Sequence, residues 1–259
     1  MSYLSDLASH AHLILSFAQR DIRAKYKQTV FGVAWAVLQP VSLMVAFTFV
    51  FSQFARVESE GVPYPLFAYS ALIFWTCLAS SVSQGTIAMT ANANLVRKVY
   101  FPRETLLVAV VLSSLVDLAA AMVVFVGLLL YFKVTLSWMS LWVVPLLGLQ
   151  ILITLAVICL TSAVHVHFRD IGHVLPLALL LWMLATPVAY PLSSVPASVL
   201  PVYMLNPMVG IIDSDRRVLL HGAPPDLGLI GGTFALALVA LIATYLIFKR
   251  AERTFADVI

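Results

Sequence analysis

Charge is what this chain has least of. Only 10% of its 259 residues are Asp, Glu, Lys or Arg, where a soluble domain carries roughly 25%. Cysteine is nearly absent, with Cys77 and Cys159 both in apolar runs. Neither forms a C-x-x-C or His/Cys cluster, so a disulfide framework or zinc site is excluded in favour of buried thiols. No G-x-x-x-x-G-K-[ST] loop occurs, so the chain does not by itself bind ATP in the P-loop manner. A G-x-S-x-G elbow and an H-E-x-x-H pair are missing too. Met1–Arg20 lacks the basic start, apolar stretch and small-residue cleavage site of a secretory leader.

What is there is apolar. Hydrophobic residues make up 62% of the chain and the mean hydropathy is +1.00. A globular core of this size cannot bury that much apolar surface, and disorder is excluded by the same composition. The bilayer is the solvent, and in lipid only helices or closed barrels satisfy their own backbone. The runs are continuous rather than alternating, which selects helices. At about 20 residues per span, and about 40 with its loop, the length predicts five to seven.

Six stretches fit: Phe31–Phe51, Leu66–Met89, Thr105–Phe132, Leu141–Val164, Val174–Tyr190 and Gly228–Phe248. With six spans, Arg20, Arg23, Lys25, Lys27, Arg97, Lys98, Arg103, Arg169, Lys249, Arg250 and Arg253 fall on one side. Arg56, Lys133, Arg216 and Arg217 fall on the other. The positive-inside rule then places both termini in the cytoplasm. The net charge of +3 needs no nucleic-acid partner.

Before the first span, Leu4, Leu7, Ala11, Ile14 and Ala18 recur at three-four spacing, opposite Asp6, Ser9, Ser16, Gln19, Arg20 and Arg23. This predicts an amphipathic helix in the membrane interface, or one packed on a partner protein. The expected architecture is an all-α integral membrane protein. Residues 1–28 form the interface helix and residues 29–259 the six-helix domain. Between the fifth and sixth spans, Pro191 to Leu227 holds six of the 13 prolines. Its middle, Val199–Ile212, is too short to cross and too apolar for a plain loop, so short re-entrant helices are expected. Asp213, Asp215, Arg216 and Arg217 would then meet at the outer surface.

Polar residues inside spans are few. Asp117 lies well within the third, with Ser113 and Ser114 on its face. An intramembrane carboxylate is a functional candidate by default. No second acid or His stands near it in sequence, which favours a hydrogen-bonded Asp between helices. Gln84 and nearby Ser and Thr give the second span a polar half, able to line a path or bond neighbouring helices. Trp35 and Tyr190 suit an interfacial belt or the wall of a conduit. His165, His167 and His173 flank Arg169 and Asp170 at a turn; a solvated turn outweighs a metal site, and Asp170 is placed to cap the next helix. The segment Asn92–Glu104 is short and basic, reading as a positive-inside anchor or a helix that seats a cytosolic subunit.

Arg20-Asp-Ile-Arg-Ala-Lys-Tyr-Lys-Gln-Thr-Val-Phe-Gly32, Trp35 and Leu38-Gln-Pro40 resemble the opening signature of the ABC-2 type polysaccharide export permeases. Asn94-Leu-Val-Arg-Lys-Val-Tyr-Phe-Pro-Arg103 resembles their second. His167–Ile171, Thr186–Pro191, Asn206-Pro-Met208 and Arg216 resemble the third. The resemblance implies a permease subunit in a bacterial inner membrane. It would dimerise, bind two copies of a separate ATPase that holds ATP and Mg, and export an undecaprenyl-linked glycan such as an O antigen, capsule or teichoic acid. The chain itself would hold no cofactor. Carried over by position, Asn94, Leu95, Arg97, Lys98, Tyr100, Phe101 and Arg103 would couple to the ATPase. Arg20, Arg23, Lys25 and Lys27 would meet the lipid pyrophosphate at the interface. Pro191, Asn206, Pro207 and Arg216 would belong to an outer gate, and Trp35, Gln84, Asp117 and Tyr190 to the conduit. The rivals are an ABC-2 exporter of a drug or small lipid, a membrane-embedded lipid or glycan transferase, and a proton-coupled carrier. The Val99–Arg103 stretch weighs against the first, the lack of clustered acids or His against the second, and the solitary Asp117 against the third.

Overall fold

The computed structural model describes residues 11–27, 29 and 31–259, with all side chains except those of 256 and 257. Leu4, Leu7 and the rest of the predicted first two turns lie outside the described residues. Helices α1 (Ala11–Tyr26), α2 (Ala34–Phe47), α3 (Tyr64–Ala91), α4 (Ala93–Lys98), α5 (Glu104–Tyr131), α6 (Val143–His167), α7 (Ile171–Leu184), α8 (Leu200–Tyr203), α9 (Pro207–Leu220) and α10 (Leu227–Val258) follow in order. No strand occurs among the described residues. A π-helical stretch, Thr48–Phe54, extends α2, and a 3-10 turn, Trp138–Trp142, leads into α6.

Among the described residues, five helical segments are long and apolar enough to cross a membrane: Ala34–Phe54, Tyr64–Ala91, Glu104–Tyr131, Trp138–His167 and Leu227–Phe255. Burial sorts them. The apolar stretch of α3 is 78% buried, against 6% for that of α2 and 11% for that of α10. Helix α3 is thus the axis, packed on α5 and α6, while α2 and α10 turn large apolar side chains such as Phe49, Phe54 and Val239 outward. Since lipid tails are as apolar as those side chains, the outer helices lose nothing by facing them.

The predicted fifth span, Val174–Tyr190, is corrected. Its helix stops at Leu184, so α7 has 14 residues, about 21 Å by its rise, short of a core of about 30 Å. The backbone then leaves helical geometry through Ala185–Tyr190, where Pro187 and Pro191 each lack the amide proton a continuing helix needs. Asp170 occupies the N-cap position of α7, but its side chain makes no capping bond there.

Two ends of the bundle are distinct. At one, Arg20 of α1 donates to Asn92 Oδ1 at 2.9 Å, and Phe17 meets Phe101 edge-on at 5.9 Å. At this end too, Arg103 bonds the Glu252 carbonyl near the close of α10, and His167 Nε2 lies 3.1 Å from Thr254 Oγ1. The first described helix and the last turns of α10 therefore share one end. At the other, His221 lies 3.5 Å from Glu60, and Gly222 takes a φ of +59° beside Ser137.

Helix α9 is the second correction. Asp213 and Arg217 stand 3.9 Å apart on a half-exposed edge, but Asp215 and Arg216 are 1% and 2% exposed. They do not gather at an outer surface. Helix α9 is wedged among α3, α6 and α10.

Candidate functional site

Three constellations carry polar chemistry. The first forms where α1 meets the bundle. Its buried face, Ile14, Phe17 and Ala18, keeps the three-four spacing, and this turns Arg20 and Arg23, with Lys27 just beyond, along its exposed edge. A groove of about 930 Å³ runs there, lined by Arg20, Arg23, Tyr26, Lys27 and Val33 among others. Arg20 shares its guanidinium between Asp21 Oδ1 at 2.8 Å and Asn92. Arg23 and Lys27 are exposed, with no acidic partner among the described residues.

Lys25 points the other way. Its ammonium pairs with Asp117 Oδ2, and the Tyr26 hydroxyl donates to Asp117 Oδ1. Burial first, and Asp117 second, hold the Tyr26 phenol above its ordinary range. The intramembrane carboxylate thus has its partner on α1, more than ninety residues away in sequence. Lys25 also approaches Ser80 Oγ at 3.5 Å, which accepts from Gln84 Nε2 at 2.8 Å. These groups face a cavity of about 240 Å³ that Trp35 and Gln39 also line. Tyr26 lines both cavity and groove and stands between them. Of the four residues read as conduit lining, Trp35 and Asp117 meet on this cavity, Gln84 joins through Ser80, and Tyr190 lies in the α7–α9 junction, bonded to Tyr203 at 3.0 Å.

The second constellation is α4. Val96 is 3% exposed and Phe101 8%, and both pack into the core, while Asn94, Arg97, Lys98, Val99 and Tyr100 face outward, Tyr100 completely. Two apolar anchors under a polar, basic crest make a seated short helix with a free outer face. Phe101 and Arg103 do not belong to that face. Phe101 rests on Phe17, and Arg103 turns onto α10, 5.7 Å from the Phe255 ring. Next to it, Lys249 is held 2.5 Å from Glu104 and 2.7 Å from Glu252.

The third is the junction between α7 and α9. Asn206 caps α9: its Oδ1 accepts from Met208 N at 3.1 Å and from Trp182 Nε1 at 2.9 Å. Its amide donates to Ala185 O at 2.9 Å and Thr186 Oγ1 at 2.8 Å. Arg216 spreads its guanidinium over the carbonyls of Pro187 at 2.5 Å, Val188 at 2.6 Å, Tyr190 at 3.3 Å and Phe67 at 3.4 Å. It lies 3.6 Å above the Phe67 ring. Tyr64 adds a bond to Ala189 O at 2.7 Å. Asn206 and Arg216 thus act chiefly on the backbone of 185–190, which no helix satisfies, and Arg216 ties it to Phe67 of α3. Tyr26, Phe67 and Trp182 carry parts of these constellations that the sequence reading left unassigned; no spacing signal marks them, since their partners are remote in the chain. Pro191 is buried and Pro207 opens α9 at its first turn, where a missing amide proton costs nothing. Among the described residues no three metal-ligating side chains come together.

The profile of the family described as ABC-2 type transporter matches residues 12–220. The chain is 28% identical over 255 residues to the O-antigen export system permease protein RfbA of Myxococcus xanthus, covering 97% of each. Against the protein of that name from Klebsiella pneumoniae the identity is 26% over 262 residues, 100% of this chain and 97% of the relative. The polysialic acid transport protein KpsM of Escherichia coli is 22% identical over 209 residues, 78% and 79% of the two chains.

Proposed function

The chain belongs to the ABC-2 type transporter family, and from that premise we propose that it is the membrane subunit of a polysaccharide exporter. In this reading it works as a homodimer in a bacterial inner membrane with two copies of a separate ATPase, which bind ATP and Mg. Its cargo is a glycan carried on undecaprenyl pyrophosphate. The observation that carries the reading is likeness over the full length to O-antigen export permeases. Two features at one bundle end support it: the outward crest of α4 suits a docked ATPase, and the groove of Arg23 and Lys27 suits a phosphate, to which Arg offers a two-pronged fork. The chain crosses six times, five times by a long helix and once by α7 with the broken segment after it, and the shared end of α1 and α10 supports that count. Residues 1–28 form the interface helix on a six-crossing domain. The eleven basic residues at that end put it in the cytoplasm. Helices α8 and α9 form the outer gate, and the cavity at Trp35 and Asp117 opens the conduit.

The docking role is tested by the double reversal Arg97→Glu with Lys98→Glu, in cells that also express the ATPase. Like charges brought face to face across an interface cost several kcal/mol. Copurification of the ATPase and export should fall together, on the order of tenfold or more, with the permease level in the membrane unchanged. Export at the parental rate would remove α4 from the docking surface.

Topology has its own test. The native Cys77 and Cys159 are buried and should stay silent to a membrane-impermeant maleimide. In spheroplasts, cysteines replacing the exposed Ser194 and Asp226 should both label from outside, and one replacing Ala251 should not. Labelling of only one of the first two positions would show that the chain crosses between them.

A further inference from the structure

Four cations crowd the last turns of α1, and one of them is already spoken for. Arg23 and Lys27 are exposed and lack an acidic partner among the described residues, and Arg20 leans on its neighbour Asp21. Lys25 alone turns inward, to a carboxylate brought from α5. A half-buried ammonium without a counter-charge is costly, so in the empty site some anion must stand beside it. Asp117 supplies that anion, and both its oxygens are engaged by α1, one by Lys25 and one by Tyr26. The cavity around them and the basic groove share Tyr26 as a common wall, and Ser80 and Gln39 line the cavity on the Lys25 side. An anion that passes Tyr26 from the groove meets Lys25 next, and finds a carboxylate in its place.

We propose that Asp117 is an internal stand-in for a phosphate: in the empty protein it occupies the anion position at Lys25, and a diphosphate headgroup arriving through the groove displaces it. The inference rests on the reading above that the groove takes a lipid pyrophosphate, and adds to it a competitor built into the chain. Displacement leaves Lys25 and Arg23 on the phosphate and frees the last turn of α1 from α5. Loading thus gives Arg23 the partner it lacks in the empty protein and takes the ammonium from Asp117, so the loaded and unloaded sites differ in which charges are paired.

The test uses the full chain in phosphatidylcholine nanodiscs, with farnesyl diphosphate as the lipid probe and inorganic pyrophosphate as the free one. Asp117→Asn keeps the size and an acceptor for Tyr26 but removes the competing charge, and should bind farnesyl diphosphate about tenfold more tightly. Tyr26→Phe keeps every charge and loosens the carboxylate, for a gain of about two- to threefold. It carries the test should Asp117→Asn fail to fold. Lys25→Gln should weaken binding, and Asp117→Asn added to it should restore nothing. Pyrophosphate competing as well as farnesyl diphosphate supports recognition of the phosphates alone; pyrophosphate failing to compete supports recognition of a headgroup presented by lipid. Binding that Lys25→Gln weakens while Asp117→Asn leaves it unchanged or weaker would overturn the stand-in and keep the groove. Binding that neither Arg23→Gln nor Lys25→Gln alters would overturn the groove, and the stand-in with it.

Discussion

Arg216→Leu is expected to unfold the α7–α9 junction of this protein more readily than any other single change in α9. The guanidinium donates to three carbonyls in a segment that has no helical partners for them, and to a fourth, that of Phe67, in the first turn of α3. Each buried acceptor left bare costs about 1–3 kcal/mol, and the desolvated stack on Phe67 adds up to about 2 kcal/mol. Even with partial relaxation, a loss of about 4 kcal/mol follows. At about 2–4 °C per kcal/mol for a chain of this size, the unfolding midpoint in detergent should drop by roughly 10 °C. Arg216→Lys keeps the charge but cannot spread over several carbonyls, and should recover less than half of that. The neighbouring Asp215 behaves oppositely. It is as deeply buried, yet neither of its oxygens has a partner among the described residues, so Asp215→Leu should leave the midpoint unchanged or raise it. A midpoint for Arg216→Leu within about 2 °C of the parent would show that those carbonyls find water instead.

The second large effect is expected at Gly85, where α3 and α6 approach most closely. A Cβ there would stand 2.5 Å from Ile158 Cγ2 and 2.9 Å from its Cγ1 and Cδ1. Ile158 is fully buried, and a β-branched side chain on a helix has one strongly preferred rotamer, so it cannot turn aside. Small residues let helices pack within a membrane because lipid supplies no hydrophobic drive to hold them together. Gly85→Ala should therefore cost about 2–3 kcal/mol by overpacking. Ile158→Ala alone should cost about 2–5 kcal/mol, but the pair together should cost clearly less than the sum, since the truncation makes the space the new methyl needs. Strict additivity in the unfolding midpoints would show that the two helices separate without strain.

Hydropathy found most of this fold because a membrane span is a local property. Leu66–Met89 against Tyr64–Ala91, Thr105–Phe132 against Glu104–Tyr131, and Leu141–Val164 against Trp138–His167 differ only at their ends. Gly228–Phe248 stopped too early, since α10 runs on through Lys249 and Arg250, which a hydropathy window rejects although ion pairs accommodate one of them. The continuous helix read for the fifth span failed for a related reason: Leu179–Val188 stays mostly apolar across the point where the backbone breaks, and only Pro187 and Pro191 mark it. The junction that replaces it depends on Asn206, Arg216 and Tyr64 donating to carbonyls far away in the chain, which composition cannot express. Arg216 and Asp215 read as surface charges because their burial comes from tertiary packing. Asp117 looked solitary for the same reason. Its partners sit on a helix that precedes two spans, and the basic cluster gave no hint which of its members turns inward.

The meeting of α7 and α9 has an electrostatic consequence of its own. A helix carries about half a negative charge at its C-terminus and half a positive charge at its N-terminus. Helix α7 ends, and α9 begins, at a point where Asn206 touches both Ala185 and Met208. Opposite ends of two macrodipoles thus face each other within an apolar surrounding, where such fields are screened least. The Arg216 guanidinium, donating to the carbonyls of Pro187, Val188 and Tyr190 beside the end of α7, adds its own positive charge to that attraction. Opening the junction separates these half-charges and draws the guanidinium off its carbonyls at the same time, so a movement of the helix ends by a few ångströms releases both holds together.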